Sequence, residues 1–289
     1  MSKAADGSYY IPHGTNWPII GSIGLTTAVV GFSNYLNGND IGFTIMWLGL
    51  AITIYMMYGW FGTVIRESES GTYNEQVGVS FRLGMSWFIF SEVMFFAAFF
   101  GALFYARAFS LPWLLGEGDG VMTHALLWAD FTEAWPSNGP ANIGGEFETI
   151  PAWGLPAINT MILLASGVTV TLAHWALKKD NRKGLILWLL ATVVLGYGFV
   201  YLQAIEYMHA YQELNMTMGS GIYGSTFFML TGFHGFHVTM GATMLLIIML
   251  RAMKGHFTEE NHFAFEGVAW YWHFVDVVWL GLFIFVYWV

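Results

Sequence analysis

Apolar residues in this chain run in long blocks broken by short polar stretches. Seven blocks reach the roughly 20 residues needed to cross a bilayer core. They span Trp17–Leu36, Ile41–Ile65, Leu83–Ala106, Trp153–Leu177, Leu185–Gln203, Tyr223–Leu250 and Val268–Val289. In hydrocarbon every backbone polar group must be satisfied internally, so blocks of this length predict helices. The pattern predicts an all-α integral membrane protein with seven transmembrane helices. The sixth block holds 28 residues and predicts a tilted helix. No tandem repeat or low-complexity tract interrupts the series.

The basic residues fall on one side of the predicted spans. Lys3, Arg66, Arg82, Lys178, Lys179, Arg182, Lys183, Arg251 and Lys254 share one side, against Arg107 alone on the other. Short loops rich in Lys and Arg stay cytoplasmic, so the N-terminus is expected inside and the C-terminus outside. This divides the chain into a cytoplasmic segment 1–16, spans 1 and 2 over 17–65, a cytoplasmic loop 66–82, and spans 3 to 7 over 83–289. The one long outer loop covers about 107–152. It carries Trp113, Trp128 and Trp135, whose indoles favour the headgroup zone. Asp40, Glu117, Asp119, Asp130, Glu133, Glu146, Glu148, Glu206 and Glu213 are assigned to the outer side.

Composition agrees with lipid as the main solvent. Of 289 residues, 56% are hydrophobic and 10% charged, where a soluble domain is about a quarter charged. There is no Cys. That excludes disulfides, iron–sulfur clusters, thiolate metal sites and covalently attached haem. A net charge of -9 argues against nucleic acid as a partner. The polar first sixteen residues lack the zones of a cleavable signal peptide.

Ionisable groups inside a span cost at least about 2.5–3.5 kcal/mol each when charged at its centre, so each calls for an explanation. Glu92 lies among phenylalanines, roughly 14 Å into span 3 at about 1.5 Å per residue. It reads either as a proton-accepting site or as a carboxyl bonded to a neighbouring helix. His273 and Asp276 in span 7 are three residues apart, share a helix face and are within reach of a hydrogen bond. His234 and His237 share a face of span 6; packing and hydrogen bonding are the expected roles, since the spacings of a zinc motif are missing. No metal ligand set is expected. Gly219-Ser-Gly-Ile-Tyr-Gly224 matches a dinucleotide fingerprint but opens a transmembrane helix instead of following a strand, so it is set aside. Small residues at Ala97, Ala98, Gly101 and Ala102, and around Gly167, predict close helix packing. Trp272 and Gly235 are also expected at packed positions.

Several strings carry a resemblance. They are Val64-Ile-Arg-Glu-Ser68, Phe90-Ser-Glu-Val-Met-Phe-Phe96, Leu202-Gln-Ala-Ile-Glu-Tyr207, Thr231-Gly-Phe-His-Gly-Phe-His-Val238 and Ala269-Trp-Tyr-Trp-His-Phe-Val-Asp-Val-Val-Trp279. In this order they resemble subunit III of the haem–copper, aa3-type cytochrome c oxidases. The resemblance implies a two-helix bundle (spans 1 and 2), a five-helix bundle (spans 3 to 7) and a lipid-filled V-shaped cleft between them. It implies a subunit without a redox centre of its own, with haem a, haem a3 and copper in partner subunits. The expected partners are subunit I as main contact, subunit II, a small subunit IV and phospholipids. Glu92 falls on the family's buried carboxylate facing the cleft, and Arg66 and Glu67 on a motif where lipid headgroups are held. Stabilisation of subunit I and help with proton uptake and oxygen access are the implied roles. The length of the 3–4 loop points to a bacterial inner membrane before a mitochondrial one.

Departures limit the transfer. Trp175 and Ala264 stand where many relatives carry a second His and a Gly, so no role of that second His passes to Trp175. Two other classes fit the sequence less well. A redox subunit lacks a thiolate for a dicopper centre and a plausible haem–copper ligand set. A stand-alone proton-coupled transporter using Glu92 and Asp276 would show inverted repeats and broken helices, and neither is visible.

Overall fold

A computed structural model describes Tyr10 and residues 14–288. Lys3, most of the segment 1–16 and the end of the last block at Val289 lie outside the described residues. Helices dominate, and no strand occurs among the described residues. Seven helices are long and apolar enough to cross a membrane: α1 (Trp17–Leu36), α2 (Ile41–Glu69), α3 (Glu75–Tyr105), α4 (Leu155–Lys178), α5 (Arg182–Gln212), α6 (Gly221–Met253) and α7 (Phe263–Leu282).

Most helices outrun the apolar blocks that announce them. Their polar ends stay helical because an intrahelical bond is the cheapest partner for the backbone near an interface. The expected loop 66–82 shrinks to a turn around Ser70–Asn74, since α2 runs on to Glu69 and α3 starts at Glu75. At its other end α3 passes through a π-helical turn (Ala106–Ser110) into a short helix, Leu111–Leu114, so the long outer segment opens as helix. A second short helix covers Val121–Leu127. The largest shift is in α5. It continues nine residues past Gln203, and Glu206, assigned above to an outer loop, is a buried residue of that helix.

The chain divides into two compact units, one ending at Phe81 and one starting at Arg82. In the first, α1 and α2 touch backbone to backbone. A Cβ on Gly31 would lie 2.2 Å from Met46 N, and one on Gly49 would lie 2.1 Å from Ala28 N. Without a hydrophobic drive between helices in lipid, such close approach supplies the attraction.

In the second unit the core belongs to α4–α7, with α3 alongside. Trp272 of α7 is fully buried; ring atoms sit 2.7 Å from where a Cβ on Gly196 would be and 2.8 Å from one on Gly241. Its Nε1 donates to Ser166 Oγ at 2.9 Å, and Trp279 Nε1 donates to Thr160 Oγ1 at the same distance. Each indole thus meets the requirement of a buried donor. Gly235 and Gly101 are different: a Cβ on either would meet nothing within 4 Å. Among the described residues those two glycines make no packing contact, whereas Gly167, Gly196 and Gly241 do. At the Arg82 end, Arg82 pairs with Glu266 at 2.8 Å and ties α3 to α7. The outer segment folds back on the bundle, with Phe147 stacked on Tyr223 and Trp135 edge-on to it. That contact turns Trp135 inward.

Candidate functional site

Glu92 meets His237. The Glu92 Oε2 to His237 Nε2 distance is 2.9 Å, across 145 residues of chain. Residue 237 is midway along α6, and Glu92 is in the central part of α3, so the pair sits deep in the apolar span. Phe95 and Phe96 on α3 and Tyr271 on α7 pack around the imidazole, with centroids 5.0–6.3 Å away. Only 22% of the Glu92 side chain and 9% of the His237 side chain are exposed.

Hydrogen-bond chemistry restricts the protons here. His237 Nδ1 lies 2.6 Å from the carbonyl of Phe233, one turn back. A carbonyl only accepts, so Nδ1 carries a hydrogen. The contact with Glu92 then holds a single proton. Either a protonated carboxyl donates to a neutral imidazole, or an imidazolium donates to a carboxylate. Both forms are neutral as a pair, which suits surroundings of low dielectric. The shared proton can therefore move between Glu92 Oε2 and His237 Nε2 without changing the charge of the pair.

His234 diverges from His237 although both occupy α6. Its Nε2 donates to the Val275 carbonyl of α7 at 3.2 Å, and its ring is between Phe199 and Trp279. His237 has both ring nitrogens engaged and His234 is fully buried with Nε2 on that carbonyl, so the two do not present a nitrogen to a haem iron. His273 and Asp276 do share a face, but Nδ1 and Oδ2 are 3.9 Å apart, beyond hydrogen-bond range. Asp276 Oδ1 is buried without a hydrogen-bond partner among the described residues, so the pair is not a satisfied one.

In the first unit, Arg66 is exposed and its Nη2 donates to Thr63 Oγ1 at 3.0 Å. Glu67 is engaged elsewhere: its Oε2 accepts from Tyr73 at 2.8 Å and from Tyr10 at 3.3 Å. Burial and the adjacent Glu67 push the Tyr73 phenol well above its ordinary value, and the Tyr10 phenol upward too, so both stay donors.

Two clusters escaped the sequence reading. Gln203, Glu206 and Tyr287 form a buried network in which Gln203 Nε2 and the Tyr287 hydroxyl both donate to Glu206 Oε1. The Gln-Ala-Ile-Glu spacing was the available signal, hidden because the apolar block ends at Gln203. The second joins His174, His262 and Glu266, whose ligand atoms lie within 4.8 Å of one another. These are the residues that could hold a metal ion. His262 Nδ1 bonds the Thr258 carbonyl at 3.1 Å, leaving its Nε2 lone pair facing His174. No local spacing foretells a cluster whose members lie 88 residues apart.

A seven-helix membrane subunit, with buried polar pairs clamping its helices, is the class that this fold and site define. Comparison with known proteins narrows it. A family model described as cytochrome c oxidase subunit III matches residues 7–289. Cytochrome c oxidase subunit 3 of Marchantia polymorpha is 40% identical over all of this chain and 98% of its own length. The Drosophila melanogaster protein of the same name is also 40% identical, over all of this chain and 99% of its own length. The chain belongs to the cytochrome c oxidase subunit III family, and thus to an oxidase complex with other subunits in the respiratory chain.

Proposed function

We propose that this chain is a non-catalytic core subunit of a proton-pumping aa3-type oxidase, with haem a, haem a3 and copper held by its partners. Subunit I is its main contact, with subunit II and a small subunit IV as further neighbours. The Glu92–His237 pair is the observation that carries the functional reading. A carboxyl and an imidazole sharing one proton at mid-span form a station that holds a proton and hands it on, and the carboxylate left behind is the form that accepts the next one. We read this station as an aid to proton uptake by the complex. Arg66 serves a phospholipid phosphate, a task suited to an exposed guanidinium at a helix end. Glu67, engaged by Tyr73 and Tyr10, instead shapes the turn that follows. The bacterial inner membrane, with the N-terminus cytoplasmic and the C-terminus periplasmic, fits the basic side of the helices.

The test is extraction in mild detergent by a tag on this chain, followed by an absorbance spectrum and identification of partners. Haem a bands together with larger subunits are expected, and stripping this chain away leaves the haem with those subunits. A colourless chain that emerges alone would overturn the reading.

A further inference from the structure

His174, His262 and Glu266 come together away from the mid-span pair, at one rim of the second unit. His174 is near the end of α4, which closes at Lys178 about 6 Å further on at about 1.5 Å per residue. His262 caps the start of α7, and Glu266 lies in its first turn. His262 is buried, and the buried Phe265 packs on the His174 ring with centroids 5.2 Å apart. The cluster thus has an apolar wall behind it and a helix end beside it, within reach of ions from water.

Its lone pairs converge. His262 Nδ1 donates to the Thr258 carbonyl at 3.1 Å, so the neutral imidazole presents Nε2 as an acceptor. Around that nitrogen stand His174 Nε2 at 3.3 Å and Glu266 Oε1 at 3.8 Å. An N–H on His174 would satisfy the imidazole alone. Glu266 Oε1 and the His262 lone pair, both acceptors, would still point into one space. A cation in that space meets all three ligands.

The spacing and the donors suit one class of ion. Zinc holds imidazole nitrogens tetrahedrally at about 2.0–2.1 Å, which places two of them about 3.3 Å from each other. The two histidine nitrogens have that separation. Two imidazoles and a carboxylate are donors for zinc, whereas calcium and magnesium take oxygen ligands. Three protein ligands leave a fourth position for water. The surrounding bonds match as well. Ligating imidazoles usually give their other N–H to a carbonyl or carboxylate, and ligating carboxylates are themselves hydrogen-bonded. Thr258 serves His262 in this way. Arg82 serves Glu266, with Nη2 and Nε at 2.8 and 3.0 Å from Oε2, and leaves Oε1 for the ion.

We propose that His174, His262 and Glu266 bind a zinc ion. His174 then carries its ring hydrogen on Nδ1, a change of tautomer that releases no proton. The ion clasps α4 to α7, and Arg82 extends the clasp to α3 through Glu266. This site is separate from the Glu92–His237 pair and does not depend on the role assigned to it.

The experiment uses the whole oxidase complex. After chelator treatment it is brought to equilibrium dialysis against low-micromolar zinc, and zinc per haem iron is measured by plasma mass spectrometry. His174→Phe is expected to bind one zinc ion fewer per complex than the unsubstituted protein, and Val194→Phe, on the exposed face of α5, the same number. Equal zinc in His174→Phe and the unsubstituted complex, with this chain retained in both, would overturn the proposal. Should His174→Phe fail to assemble, the unsubstituted complex decides. Modification of His174 by diethyl pyrocarbonate, read by peptide mass spectrometry, is expected to slow several-fold in zinc and to keep its rate in calcium. An unchanged rate in zinc, or equal slowing by calcium, would overturn the proposal.

Discussion

His237→Phe is the most informative perturbation of the buried pair. It removes the only hydrogen-bond partner of Glu92 among the described residues, from across a 2.9 Å contact that is nine-tenths buried on the histidine side. The Phe233 carbonyl loses a side-chain donor but keeps its place in the helix. The cost is then mainly that of an unpartnered carboxyl, about 1–3 kcal/mol. Glu92→Gln should cost less, under about 1 kcal/mol, because the amide N–H replaces the shared proton and donates to His237 Nε2. Combining Glu92→Leu with His237→Phe removes both partners and leaves an apolar contact, which is often nearly neutral. The double variant is thus expected to be more stable than His237→Phe alone. Thermal unfolding of the detergent-solubilised complex, followed by release of this chain, measures the order. Additive losses, with the double variant the least stable of the set, would refute the pairing argument.

Other outcomes follow from the same geometry. Glu92→Gln should preserve assembly and most oxygen reduction while slowing proton uptake in stopped-flow measurements with a pH dye; complete loss of oxygen reduction would show that the chain is not accessory. Gly241→Leu and Gly196→Leu drive a side chain into the Trp272 ring and should abolish folding, whereas Gly235→Ala, facing open space, should leave expression and assembly unchanged. Ser166→Ala leaves the Trp272 N–H without its acceptor and should lower stability by about 1–3 kcal/mol in the same melt. Arg66→Gln should reduce the phospholipid that co-purifies with the complex, and an unchanged lipid count by mass spectrometry would assign the headgroup elsewhere.

The two glycine outcomes show where sequence patterns stop. Gly235 stands inside a conspicuous His-Gly-Phe-His string, yet a Cβ there would meet nothing within 4 Å among the described residues. Gly196 belongs to no notable string, and it makes room for the largest side chain of the core. Small residues permit close approach; only the arrangement of the other helices says whether approach occurs. Glu206 teaches a related point. A hydropathy block ends where polar residues begin, but a helix continues while its backbone has no better partner, and α5 carries Glu206 into a buried network.

Amino-acid order alone determined the number of spans and the membership in an oxidase subunit family, because apolar length and contiguous strings are local properties of the chain. It also marked Glu92, His237, His273 and Asp276 as costly groups in lipid. Tertiary structure decided their partners. Glu92 found His237 from 145 residues away, His174 came to His262 from 88, and the neighbours His273 and Asp276 stayed 3.9 Å apart. In a membrane bundle the identity of each buried polar group follows from sequence, but its bond depends on which helix faces face one another, and that is settled by how the whole bundle packs, as where Gly196 and Gly241 admit the Trp272 ring.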